Sequence, residues 1–77
     1  MNEPLHIMPK NARERIEISL TEWRGLSLFS ARVYAFAGDG KWVPTTKGLT
    51  IRVEQLPELV AASAEAERTA RTLGHIR

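Results

Sequence analysis

The chain has 77 residues, no cysteine and a formal net charge of +2. That limits it to one small domain with no disulfide or thiolate metal site. Its histidines, His6 and His75, lie in opposite tails, so no metal or cofactor is expected. No apolar run approaches the roughly 20 residues of a membrane span, and the N-terminus lacks the apolar core of a signal peptide. The reading is a cytoplasmic protein with no membrane partner.

The charge is uneven. From Arg15 to Arg52 the bases Arg15, Arg24, Arg32, Lys41, Lys47 and Arg52 outnumber Glu17, Glu22 and Asp39. From Val53 to Leu73 the acids Glu54, Glu58, Glu65 and Glu67 outnumber Arg68 and Arg71. A basic half of this kind can mark a polyanion-binding face, and it can equally be ordinary surface charge.

In chain order, residues 1–13 hold Pro4 and Pro9 and show no periodicity, so they read as a mobile arm. "RIEISL" alternates cleanly, with Ile16, Ile18 and Leu20 on one face and Glu17 and Ser19 on the other, as a half-buried strand does. "RG" at 24–25 makes a turn, with Gly25 able to take a positive φ. A second strand runs from Leu26 to Phe36, and "AGDG" follows as a hairpin signal. A third strand covers Lys41 to Thr46. Pro44 removes a ladder donor there, so this strand should lie at an edge or be bulged. Gly48 reads as the next turn and "LTIRV" as a fourth strand. From Val53 the period becomes helical. Pro57 falls in the first turn, acids come early, arginines come late, and Gly74 ends the helix. The fold class is α+β: a four-stranded antiparallel meander followed by one long helix, ββββα, over residues 14–74, with 75–77 as a tail.

One helix covers only one face of a sheet. If Ile16, Ile18, Leu20, Phe29, Ala31, Val33, Leu49 and Ile51 face it, strand alternation puts Ser19, Thr21, Trp23, Arg32, Tyr34 and Arg52 on the open face. Basic groups follow a phosphate backbone and aromatic rings stack on unpaired bases, so this surface fits a single strand. Trp23 is then a stacking platform; the competing reading is ordinary packing. Trp42 and Phe36 cannot be assigned to a face, because Pro44 and the turn make their parity unsafe. Leu28 interrupts the polar face. "GDGK" is no phosphate loop, since it lacks the first glycine and a following helix. The serines have no base partner, so no catalytic residue is assigned and an enzyme is not expected.

The segments "EWRG", "ARVYAFAGDGKWVPTTKGLTI" and "EQLPEL", matched in order and without a gap, resemble the transcriptional coactivator family of positive cofactor four. The similarity spans roughly Arg15 to Ala70. It implies a homodimer with C-terminal helices at the interface and curved, basic channels that bind single-stranded or melted DNA with little sequence preference. Trp23 matches the family's stacking aromatic, Arg32 its sheet arginine and Lys47 the lysine before the last strand. A second family aromatic falls at Ala35, and two of its lysines fall at Leu26 and Val43. No counterpart of the eukaryotic coactivator's serine-rich, acidic regulatory arm is expected, so its regulation is not carried over.

The expected nucleic-acid-binding residues are therefore Trp23, Arg24, Arg32, Tyr34, Lys41, Lys47 and Arg52. The expected dimer contact is the helical stripe Leu56, Leu59, Val60, Ser63, Ala66 and Ala70. The function expected is a single-stranded-DNA-binding transcription cofactor, with a replication or repair role as an extension. Partners are single-stranded DNA or RNA, a second copy and the transcription machinery, with nucleoid association if the source is bacterial. The alternative is a protein-interaction module that kept the fold and lost the channel, which Ala35, Leu26 and Val43 favour.

Overall fold

The computed structural model describes residues 4–76. Residues 1–3 of the expected arm and residue 77 of the expected tail lie outside them. Four strands form one antiparallel sheet: β1 (His6–Asn11), β2 (Glu14–Trp23), β3 (Leu26–Phe36) and β4 (Trp42–Arg52), in the order β1-β2-β3-β4. A 3-10 turn, Val53–Gln55, leads into α1 (Leu56–Thr72). The meander followed by one helix is as the sequence predicts, but the four strands are not the four predicted.

The expected arm contributes a strand. β1 pairs with β2 from His6↔Ile18 to Asn11↔Glu14, with a one-residue bulge at Lys10 between the Pro9 and Asn11 pairs. It is an edge strand, where a proline costs no essential ladder bond. The bulge and Pro9 together hide its alternation. Its turn is closed by the Asn11 side chain, whose Oδ1 accepts from the Arg13 amide at 2.9 Å.

The expected third and fourth strands are one. β4 runs unbroken past Gly48, and Gly48 is not a turn residue. Arg32↔Gly48 and Tyr34↔Pro44 are successive pairs on β3 and β4, so Thr45, Thr46 and Lys47 together oppose Val33. Such a bulge interrupts the alternation and mimics a hairpin in the sequence. It is pinned from both sides. The Thr45 hydroxyl donates to the Val33 carbonyl at 2.8 Å and accepts from the Lys47 amide at 3.1 Å. Gly48 is needed for close approach instead: at φ 144°, a Cβ there would sit 2.5 Å from the Ala31 carbonyl oxygen. The expectation attached to Pro44 holds, since β4 is the other edge and the bulge begins beside that proline.

Pro57 sits at the start of α1. At the far end Gly74 takes φ 83°. The Gly74 amide donates to Arg71 at 3.1 Å and the His75 amide to Ala70 at 2.8 Å. This is the Schellman pairing, which satisfies two carbonyls the helix leaves open.

Cross-strand pairs confirm the apolar face: Ile16↔Val33, Ile18↔Ala31↔Leu49 and Leu20↔Phe29↔Ile51. The helix does not cover it. Only its first turns approach, where Leu59 and Ala62 share a depression with Ile51. No residue of α1 is buried, and Val33, at 8% exposure, is the one buried hydrophobic residue among those described. Alternation reports which face is apolar; it cannot report which element, or which molecule, covers it.

Candidate nucleic-acid interface

The opposite face is built from side chains of odd parity on β2 and their partners. The rows across the sheet are Trp23↔Leu26, Thr21↔Leu28↔Arg52, Ser19↔Ser30↔Thr50, Glu17↔Arg32↔Gly48 and Arg15↔Tyr34↔Pro44. Trp42 pairs with Phe36 beyond them. All the residues expected on the open face lie in these rows. The face is concave at its Arg15 end, because Ile7 and Pro9 of β1, Arg15 of β2 and Trp42 of β4 line one groove of about 330 Å³.

At one end, Arg24 and Gly25 form a two-residue hairpin loop with φ of 53° and 78°. Both are left-handed, as a type I′ turn requires, and this turn follows the twist of the strands. Trp23, just before the loop, is 57% exposed. Packing within the chain therefore does not account for it. The Arg24 guanidinium lies 4.6 Å from the centroid of its ring, a cation–π contact that orients both groups.

In the middle, the Arg32 guanidinium donates to the Thr45 carbonyl at 3.0 Å. This anchors the arginine over the bulge while spending one of its five donors. Arg52 is exposed in the row of Thr21 and Leu28.

At the other end, the Arg15 guanidinium lies 4.4 Å from the Trp42 ring centroid and 2.7 Å from a Glu17 carboxylate oxygen. Phe36 meets Trp42 edge-on, with centroids 5.3 Å apart at 65°. Lys41 is exposed beside this cluster, its amide donating to Asp39 Oδ1 at 3.2 Å. Lys47 lies inside the bulge, so alternation assigns it to neither face. Its charge is felt by Glu14, whose carboxyl is held below the ordinary glutamate range by hydrogen bonds from Asn11 and Lys10 first, and more weakly by the charges of Lys10 and Lys47.

Sequence reasoning missed Arg15 as part of this face and left Phe36 and Trp42 unassigned. The parity of Arg15 with Glu17, Ser19 and Trp23 was the available signal. For Trp42 the signal was hidden: the bulge adds two residues to β4, which leaves parity intact, but only the pairing reveals that.

Among the described residues no group of three His, Asp or Glu side chains could hold a metal ion. No described helix is long and apolar enough to cross a membrane.

The profile of Transcriptional Coactivator p15 (PC4) matches residues 10–62. A PC4 homologue from Burkholderia pseudomallei K96243 is similar in two crystal forms. The orthorhombic form is 30% identical with a TM-score of 0.80, over 88% of this chain and 95% of that one. The tetragonal form is 31% identical with a TM-score of 0.77, over 84% and 96%. A bacteriophage T5 homologue of the eukaryotic coactivator PC4, implicated in recombination-dependent DNA replication, shares the fold at 18% identity, with a TM-score of 0.73 over 97% and 88% of the two chains. No curated protein matches the sequence. With the profile match covering most of the sheet and the start of the helix, the chain belongs to the transcriptional coactivator p15 (PC4) family.

Proposed function

We propose that the protein is a homodimer that binds single-stranded or melted DNA with little sequence preference, as a transcription cofactor that can also serve replication or repair. The observation that carries this reading is Trp23. A large aromatic stands exposed at one end of a sheet face that also holds Arg32 and Arg52. Stacking on such a ring accepts any base, and arginines on the floor contact phosphates without reading sequence. Duplex bases already stack on one another, so the face favours unpaired strands, DNA or RNA.

The dimer follows from the other side of the sheet. Leu20 and Leu49 are nearly half exposed there, and Val60 on the helix stripe is 60% exposed. One buried side chain among the described residues is too small a core for a domain without a disulfide, and oligomerisation is the usual remedy. A second copy brings the same apolar sheet and helix to be covered, through Leu56, Leu59, Val60, Ser63, Ala66 and Ala70.

A second reading, a protein-interaction module, is favoured by Leu26, Ala35 and Val43. Leu26 is half-buried opposite Trp23, and Val43 opposes Ala35 on the apolar side of the sheet. Titrating the protein with an unstructured oligonucleotide while following tryptophan emission separates the two. Saturable quenching with an affinity that falls as salt rises is expected. Absence of binding at low salt would leave the interaction module.

A further inference from the structure

The groove at the Arg15 end is not explained by phosphate contacts. Its walls are Ile7 and Pro9 from β1, Arg15 from β2 and Trp42 from β4, with Asn11, Ala12 and Glu14 at its edge. At about 330 Å³ it is at the small end of ligand-sized cavities, room for a planar ring and not for a folded segment. Both neighbouring carboxylates are already engaged. Glu14 is held by Lys10 at 3.2 Å and Asn11 at 3.0 Å, and Glu17 by Arg15. The Arg15 charge is thereby largely spent, while its flat guanidinium remains fixed against an indole. Planar guanidinium and aromatic surfaces in a shallow, mainly apolar cleft are what an unpaired base stacks on.

We propose that this groove is a second base-stacking subsite, occupied by one base of a strand whose other part lies on Trp23. The inference rests on the single-strand reading above and adds to it a defined place and length. Arg15 and Trp23 are eight positions apart on β2, about 26 Å at the rise of a strand. A twelve-nucleotide strand covers both even at the stacked spacing of about 3.4 Å per nucleotide. The subsite also supplies an aromatic that Ala35 does not. Ile7 and Pro9, which line it from β1, lie outside the residues 10–62 that match the family profile.

The test uses Trp23→Phe, which leaves Trp42 as the only indole, and a labelled twelve-residue oligothymidylate. Binding is followed independently by anisotropy of the label. Saturable quenching of Trp42 emission at the same midpoint as the anisotropy is expected. So is a loss of affinity of roughly 5- to 150-fold in Trp42→Ala, the range of one base–aromatic stack, with no change in salt dependence. Anisotropy without any Trp42 response overturns the subsite and leaves the single-strand reading standing. No anisotropy change in the wild-type protein overturns both. A Trp42 signal that follows protein concentration instead of oligonucleotide would assign the groove to a second copy and overturn the proposal.

Discussion

The two faces of the sheet are both open to solvent in the single chain, and for opposite reasons. One carries Ile16, Ile18, Leu20, Phe29, Ala31, Leu49 and Ile51, which gain by leaving water. The other carries hydroxyls, arginines and aromatics whose polar parts are already arranged among themselves: Arg15 on Glu17, Arg32 on Thr45 and Arg24 over Trp23. An apolar face is a demand for a permanent cover. A polar, pre-arranged face can stay wet until a ligand arrives. Exposure by itself does not identify a site; what the exposed groups do with their hydrogen bonds does.

The largest effect is expected on the apolar side. Val60→Glu would put a charge where the proposed dimer buries a valine, without touching the Ile51 depression. Stranding an unpaired charge costs several kcal/mol, so the dimer dissociation constant should rise by at least about a hundredfold, a difference of roughly 2.7 kcal/mol. Sedimentation at micromolar concentration would show it. A wild-type protein that sediments as a monomer would remove the cover this face is argued to need.

Gly48→Ala tests the point where the two faces are held together. The new Cβ would sit 2.5 Å from the Ala31 oxygen and 2.8 Å from the Arg32 Cα. Both are backbone atoms that cannot swing aside. A loss of about 1–3 kcal/mol, typical of overpacking, should appear as a lower melting temperature by circular dichroism. An unchanged melting curve would mean that β4 can lift away from β3 at the bulge without cost.

On the polar face, stacking and charge should separate. Trp23→Ala is expected to cost roughly 1–3 kcal/mol of oligonucleotide binding and leave the salt slope unchanged. Arg32→Ala should weaken binding for all sequences and reduce the log–log salt slope by about 0.7, the single-strand value for one phosphate. Trp23→Ala binding like wild type would return that ring to a purely structural role.

Much of this was legible in the sequence because the regular strands keep strict alternation. "RIEISL" and "LFSARV" placed the two faces correctly, and "WRG" and "LGH" marked a turn and a helix end where Gly25 and Gly74 take left-handed backbone. Legibility failed where the backbone counts differently from the sequence. Lys10 and Thr45–Lys47 are bulges, each of which interrupts a period and makes one strand look like a loop or like two strands. The Arg15–Trp42 contact was unreadable for a further reason: it joins β2 to β4 across β3, and only the curvature of the assembled sheet brings them together.

The smallest expected effect lies at the edge between the faces. Glu14 is held ionised by the Asn11 amide and Lys10, and so titrates below the ordinary glutamate range. Because the folded-state value is the lower one, the carboxylate's contribution to the β1–β2 hairpin is complete at neutral pH. It is lost only as pH falls through that depressed value, and raising the pH changes nothing. Asn11→Ala removes the Asn11 hydrogen bond to the Glu14 carboxylate and also the cap of the Arg13 amide. The Glu14 midpoint, followed by its side-chain carbon shift in an NMR titration, should then move up toward the ordinary range. The amides of β1 should broaden at a higher pH than in wild type. If the midpoint stays depressed in Asn11→Ala, Lys10 alone sets it, and Lys10→Met should release it instead. If β1 amides are indifferent to the protonation of Glu14, the hairpin is held by its ladder alone, and the second wall of the Trp42 groove does not depend on this ion pair.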